Sequence, residues 1–212
     1  MIDKTKNAFT LAEVLITLVI IGIVAVLTIS NIINNTKKQE YVAGLKKANS
    51  VLSQAILKIG QNNCYAVGDY SFLKNINFID EFSKVVSVTK KCNTIAECFD
   101  NDFYRLDNTL AVISDGKSVI SSDGQMFSYT GLNLASDYGI SEEDKNNVIG
   151  RVVVDINGKK LPNKYGYDIF FFLVVENKGI VPAGSYGTSD CNKSARGISC
   201  AAKVLRENAI NY

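Results

Sequence analysis

The chain has 212 residues, 47% of them hydrophobic and 21% charged, with a formal net charge of +2 and no histidine. That length suits one domain plus an appendage. The small net charge gives no ground for a nucleic-acid or acidic partner, and the missing histidine rules out Ser-His-Asp and Cys-His catalysis and any His-ligated zinc site. Lys or Asp remain available as bases, so an enzymatic reading is weakened rather than closed.

The first element is an apolar segment near the N-terminus. From Val14 to Thr36 the chain carries no Asp, Glu, Lys or Arg. A bilayer core of about 30 Å needs roughly 20 helical residues, and Val14 to Ile33 supplies them. A secretory signal peptide has a shorter apolar region, about 7–15 residues, ending in a small-residue cleavage site. No A-x-A follows this run. Because the run is apolar all round, a buried soluble helix fits poorly. Lys4 and Lys6 precede it and Lys37 and Lys38 follow it, so the distribution of positive charge leaves the orientation open. A single carboxylate, Glu13, stands at the near edge of the segment.

The leader MIDKTKNA followed by FTLAEVLITLVIIGIVA resembles the N-terminus of the type IV pilin and type II secretion pseudopilin superfamily. The resemblance implies that prepilin peptidase cuts between Ala8 and Phe9 on the cytoplasmic side and methylates the new Phe9 amine. It also implies that Glu13 is the family's assembly acid and Gly22 the glycine within the anchor helix. The cytoplasmic leader then settles the orientation, with the N-terminus inside and the head in the periplasm. Two positions depart from the usual pattern. Ala8 stands where Gly is common, and Ser30 stands where many members have a helix-kinking Pro.

On this reading Glu13 has a physical purpose. An ionised carboxylate in lipid is costly unless paired, and the freed Phe9 amine lies four positions earlier on the same helical face. The two can neutralise each other within one subunit or between neighbours. The alternative is a carboxylate that sits at the headgroup level with no specific role.

Beyond the membrane, Tyr41, Leu45, Ala48, Leu52, Ala55 and Ile59 recur at spacings of four and three, an apolar stripe of helical period. One helix from about Phe9 to Ile59 would be roughly 75 Å long, with Gly60 as its stop. Two helices broken between Asn31 and Asn35 are the alternative. NFIDEFSKVV has helical spacing, and TIAECFDNDF reads as a second short helix. Strand signals follow. TLAVIS and KSVISS flank Asp115-Gly116, a hairpin signature. QMFSY follows a second Asp-Gly, and RVVVDI and DIFFFLVV are the strongest strands. The expected fold is α+β, pilin-like: a long N-terminal transmembrane-plus-amphipathic helix packed on an antiparallel sheet of four or five strands. The expected divisions are a leader over 1–8, an anchor over 9–33, an amphipathic continuation over 34–60 and a globular head over 61–212.

The loop DINGKKLPNKYGYD joins the two strongest strands. Asp155, Asn157, Asn163 and Asp168 offer hard oxygen ligands of the kind calcium prefers. The spacing is not that of an EF-hand. The competing reading is a hairpin loop with an Asn-Gly turn and solvated polar groups. The stretch also resembles a D-x-N-G, P-N, G-x-D-x-F element in the globular domains of some pilin-like proteins.

The five cysteines contain no CxxC pair, which disfavours zinc and thioredoxin-like chemistry. In an oxidising compartment beyond an anchor, Cys92 with Cys98 and Cys191 with Cys200 read as local disulfides. Five buried free thiols are the alternative. Cys64 has no partner assigned by the sequence. The tail CAAKVLRENAINY resembles the end of the same pilin-like group.

Together these features predict a non-enzymatic structural subunit of a type IV pilus-like or pseudopilus filament. The resemblance implies prepilin peptidase, other pilin subunits, an assembly platform protein and a cytoplasmic ATPase as partners. A membrane-tethered enzyme or binding module, using the helix only as an anchor, is the rival from another class.

Overall fold

The computed structural model describes residues 9–99, 102–113, 116–131, 138–187 and 190–212. The chain divides into two compact units, Met1–Lys38 and Gln39–Tyr212. One helix, α1 (Leu11–Asn62), passes from the first into the second without a break at Asn31 to Asn35. It ends two residues later than Gly60 suggested. The Tyr65 amide donates to the Gly60 carbonyl while Cys64 takes a left-handed conformation at φ 61°.

In the first unit the apolar side chains are exposed along the helix, among them Leu15, Leu18, Ile21, Val26 and Ile32. The helix is long and apolar enough to cross a membrane. Two of its threonine hydroxyls bond the helix's own backbone, which satisfies them without water. The Thr17 hydroxyl donates to the Val14 carbonyl at 2.9 Å and the Thr28 hydroxyl to the Val24 carbonyl at 2.9 Å.

In the second unit Leu45, Ala48, Leu52, Ala55 and Ile59 are buried, with Val42 and Ile56 beside them. Tyr41, at the head of the stripe, is half-buried. These side chains pack on a six-stranded antiparallel sheet, ordered β1-β4-β5-β6-β7-β8. The strands are β1 (Val88–Cys92), β4 (Lys117–Ser121), β5 (Met126–Gly131), β6 (Val148–Asp155), β7 (Ile169–Val175) and β8 (Gly179–Pro182). Helices α2 (Phe78–Val85) and α5 (Cys200–Glu207) contribute to the same core, and a short α4 (Glu142–Lys145) precedes β6.

Every residue of β7 is buried. Phe170, Phe172 and Val174 face the helical layer, while Ile169, Phe171, Leu173 and Val175 face a second core. That second core is built from α3 (Ile95–Cys98), β2 (Phe103–Tyr104), β3 (Leu110–Ala111) and neighbouring loops. Burial on both sides explains why DIFFFLVV shows no polar alternation.

The strand TLAVIS does not pair with KSVISS across Asp115-Gly116. Its Leu110 and Ala111 pair instead with Tyr104 and Phe103 in a separate two-stranded sheet. Asp115 itself lies outside the described residues. The expected helix TIAECFDNDF is likewise shorter than its pattern: among its described residues only Ile95–Cys98 are helical, and Phe103 enters β2. Apolar burial in the second core outweighs the local turn and helix signals here.

Candidate functional site

Two places gather the sequence-derived candidates, one at each end of the chemistry. The first is the start of α1. Phe9 is described and exposed; Ala8 lies outside the described residues. Thr10 immediately precedes the helix, and its amide and hydroxyl both donate to Glu13 Oε2 at 2.8 Å. The Glu13 amide donates back to Thr10 Oγ1 at 3.3 Å. This is a capping box, written in the sequence as Thr10-x-x-Glu13. Sequence reasoning assigned Glu13 to the Phe9 amine and passed over Thr10, although the T-x-x-E spacing was the signal that identifies it. The cap supplies partners for first-turn N–H groups that have none within the helix.

The second place is the loop between β6 and β7, within the head unit. Asp155, Asn163 and Asp168 are each fully buried, and Asn157 is half-buried. The segment is a hairpin connection whose tip, Lys159 to Leu161, is exposed, but these candidate ligands are not solvated as a plain loop would leave them. The Ile156 amide donates to the Asp168 carbonyl at 2.9 Å, which closes the strand ends on each other. Asn157 spans both acids: its backbone N–H donates to Asp155 Oδ1 at 3.1 Å, and its Nδ2 donates to Asp168 Oδ2 at 3.1 Å. Asp168 also accepts from the Asn163 amide at 2.9 Å and the Lys164 amide at 2.6 Å.

Burial pushes the Asp155 carboxyl well above the usual carboxylate range, and the nearby Asp168 charge adds to it. Burial likewise lifts Asp168 to about 6, opposed by its N–H donors from Lys164 and Asn163. Neither acid forms an ion pair among the described residues. Tyr41, reaching the loop from α1, has its hydroxyl pKa raised by burial and then by the Asp168 charge. It belongs to this cluster and was read from sequence only as part of the apolar stripe. Close helix approach is helped by Gly44, where an added Cβ would meet Ile156 Cβ at 3.2 Å. Gln125 Nε2 donates to the Gly44 carbonyl at 2.9 Å and ties β5 to the same turn of helix.

The cysteines form two bridges. Cys92–Cys98 joins β1 to α3, and Cys191–Cys200 joins the C-terminal loop to the start of α5. Cys64 is an exposed free thiol. The last residue, Tyr212, turns back on this end of the head, its hydroxyl donating to the Gly166 carbonyl. Among the described residues no group of three or more His, Cys, Asp or Glu is placed to hold a metal.

Comparison with known proteins bears on the first place alone. Residues 3–29 match the family model described as the prokaryotic N-terminal methylation motif. No curated protein and no solved structure matches the chain. The matched residues include Phe9, Thr10 and Glu13 and most of the exposed apolar run of α1. A motif of this kind implies processing by prepilin peptidase and suits a membrane-anchored subunit rather than an enzyme. An apolar helix opened by Thr10 and Glu13, inside the residues that match, thus gives the chain the prepilin-type motif of type IV pilins and pseudopilins.

Proposed function

We propose that the chain is a structural subunit of a type IV pilus-like or pseudopilus filament. The match of residues 3–29 to the methylation motif carries this reading. Prepilin peptidase would cut between Ala8 and Phe9 and methylate the Phe9 amine. The anchor would hold the subunit in the cytoplasmic membrane, N-terminus inside and head in the periplasm, until it enters the filament. Apolar helices such as the first part of α1 would then pack together as the filament core. An assembly platform protein and a cytoplasmic ATPase would drive the insertion.

Chemistry supports a docking role for Glu13. A carboxylate at a helix start in an apolar medium needs a cation. In an isolated subunit the Thr10 donors give it partial satisfaction. A neighbouring Phe9 amine adds the full positive charge that neutral donors lack, so subunit addition is favoured where the two meet.

The test is intact mass and N-terminal sequencing of the protein from membranes with active prepilin peptidase. A chain beginning at Phe9 with one added methyl group supports the filament reading. Retention of Met1 to Ala8 sinks it and favours a tethered module.

A further inference from the structure

The β6–β7 loop presents an electrostatic imbalance inside the head. Two carboxylates, Asp155 and Asp168, are fully buried and bridged by one residue, Asn157. No Lys or Arg pairs with either among the described residues. Ionising both in the interior without a counter-charge would cost several kcal/mol each, so the pair keeps both charges only if a cation joins it.

A second, independent observation concerns neutral atoms. Asn163 is fully buried and adjoins Asp168 through its own N–H, yet neither Oδ1 nor Nδ2 of its amide has a hydrogen-bond partner on the protein. Asp155 Oδ2 and Asn157 Oδ1 are also without one. Buried polar atoms are ordinarily partnered. Four such atoms on three residues around two unpaired carboxylates are not explained by folding of the loop itself.

The unpartnered set contains three oxygens, and the bonded carboxylate oxygens keep further lone pairs. Those oxygens suit a hard cation, whereas Asn163 Nδ2, a hydrogen-bond donor, cannot ligate one. Two positive charges would let both carboxyls ionise together. From these atoms we infer that the Asp155–Asp168 loop binds one divalent cation of the calcium class. Asp155 and Asp168 supply its charge, and the side-chain oxygens of Asn157 and Asn163 complete the donor set. The ion would lock the β6–β7 connection against the Tyr41 turn of α1, stiffening the head where the long helix meets the sheet. This inference does not rest on the filament reading, since a tethered module would bind the ion equally well.

The experiment uses the full chain in detergent, stripped with a chelator and titrated with Ca²⁺ by calorimetry at neutral pH. Uptake of one ion per chain with a rise in melting temperature is expected. Asp155→Asn, folded by circular dichroism, should weaken Ca²⁺ binding about 10-fold or more. Asn163→Ala should weaken it in the same direction and carries the test should Asp155→Asn not fold. A wild-type chain that takes up no Ca²⁺ at millimolar concentration overturns the assignment, and the loop then holds a proton instead. Full affinity retained in the folded variants also overturns it, because the ion is then bound elsewhere.

Discussion

Thr10 and Glu13 cap the same helix end reciprocally. Two donors of Thr10 meet one oxygen of Glu13, and the Glu13 amide returns to the Thr10 hydroxyl. The acid that would dock a neighbour is thereby held in a defined position before any neighbour arrives. Thr10→Val deletes the hydroxyl from both sides of this exchange but keeps the amide bond. Loss of such a cap costs about 1 kcal/mol of helix stability. A partial fall in filament incorporation is expected, measured as the ratio of sheared to membrane-bound protein. Glu13→Val should abolish incorporation while leaving the protein in the membrane. Normal filaments from Glu13→Val would remove the docking role.

The stripe on α1 holds helix to sheet. Leu52 is fully buried in the core that it shares with Phe127, Phe170 and Phe172. Leu52→Ala should destabilise the head by about 2–5 kcal/mol. Chemical denaturation followed by head tyrosine fluorescence reads the change. An effect below half of the lower bound would mean that the helix contributes little to the core.

Reduction should loosen the C-terminal region. The Cys191–Cys200 bridge closes a loop of sequence separation 9. Loop-closure entropy for such a bridge corresponds to about 2–3 kcal/mol. The double variant Cys191→Ser, Cys200→Ser should show a lower melting temperature and earlier proteolysis near Tyr212. Unchanged protease resistance would show that Tyr212 and α5 hold this end without the bridge.

One ion pair should shape the pH dependence of stability. Buried Asp144 accepts from Lys178 Nζ at 2.7 Å and from the Ser141 hydroxyl at 2.8 Å. The bond from Lys178, then that from Ser141, lowers the Asp144 pKa. The bond to Asp144, then that to Tyr186, raises the Lys178 pKa. The depressed acid contributes stability above its unfolded value of about 3.9, lost as pH falls through the lower folded value. The raised base contributes below its unfolded value of about 10.4, lost as pH rises through the higher folded value. Wild type minus Lys178→Met, measured as melting temperature, should therefore be flat between these limits and shrink outside them. A difference that is the same at every pH would show that the pair contributes by packing alone.

The legible features were those whose physics is local. Phe9 and Glu13 lie about one turn apart, the charge-free run needs only composition, and the stripe from Leu45 to Ile59 needs only a period; the equally local Thr10-x-x-Glu13 cap was passed over. Asp155 and Asp168 were legible as oxygen donors because they flank one loop. Their burial was not, because it depends on Tyr41 and Gly44, more than a hundred positions earlier. Strand β1 escaped notice because its Lys90 and Lys91 are exposed on the sheet edge. Such charges protect an edge while erasing the apolar signature of a strand.

Residue order alone thus determined the anchor, its acid, the amphipathic continuation and the two strongest strands, since each arises from spacing along one element. Tertiary structure decided the rest. It paired β3 with β2 rather than β4, buried β7 on both faces and brought α1 onto the β6–β7 loop. Those outcomes depend on which apolar surfaces lie within reach once the sheet has formed, and no local pattern encodes that reach.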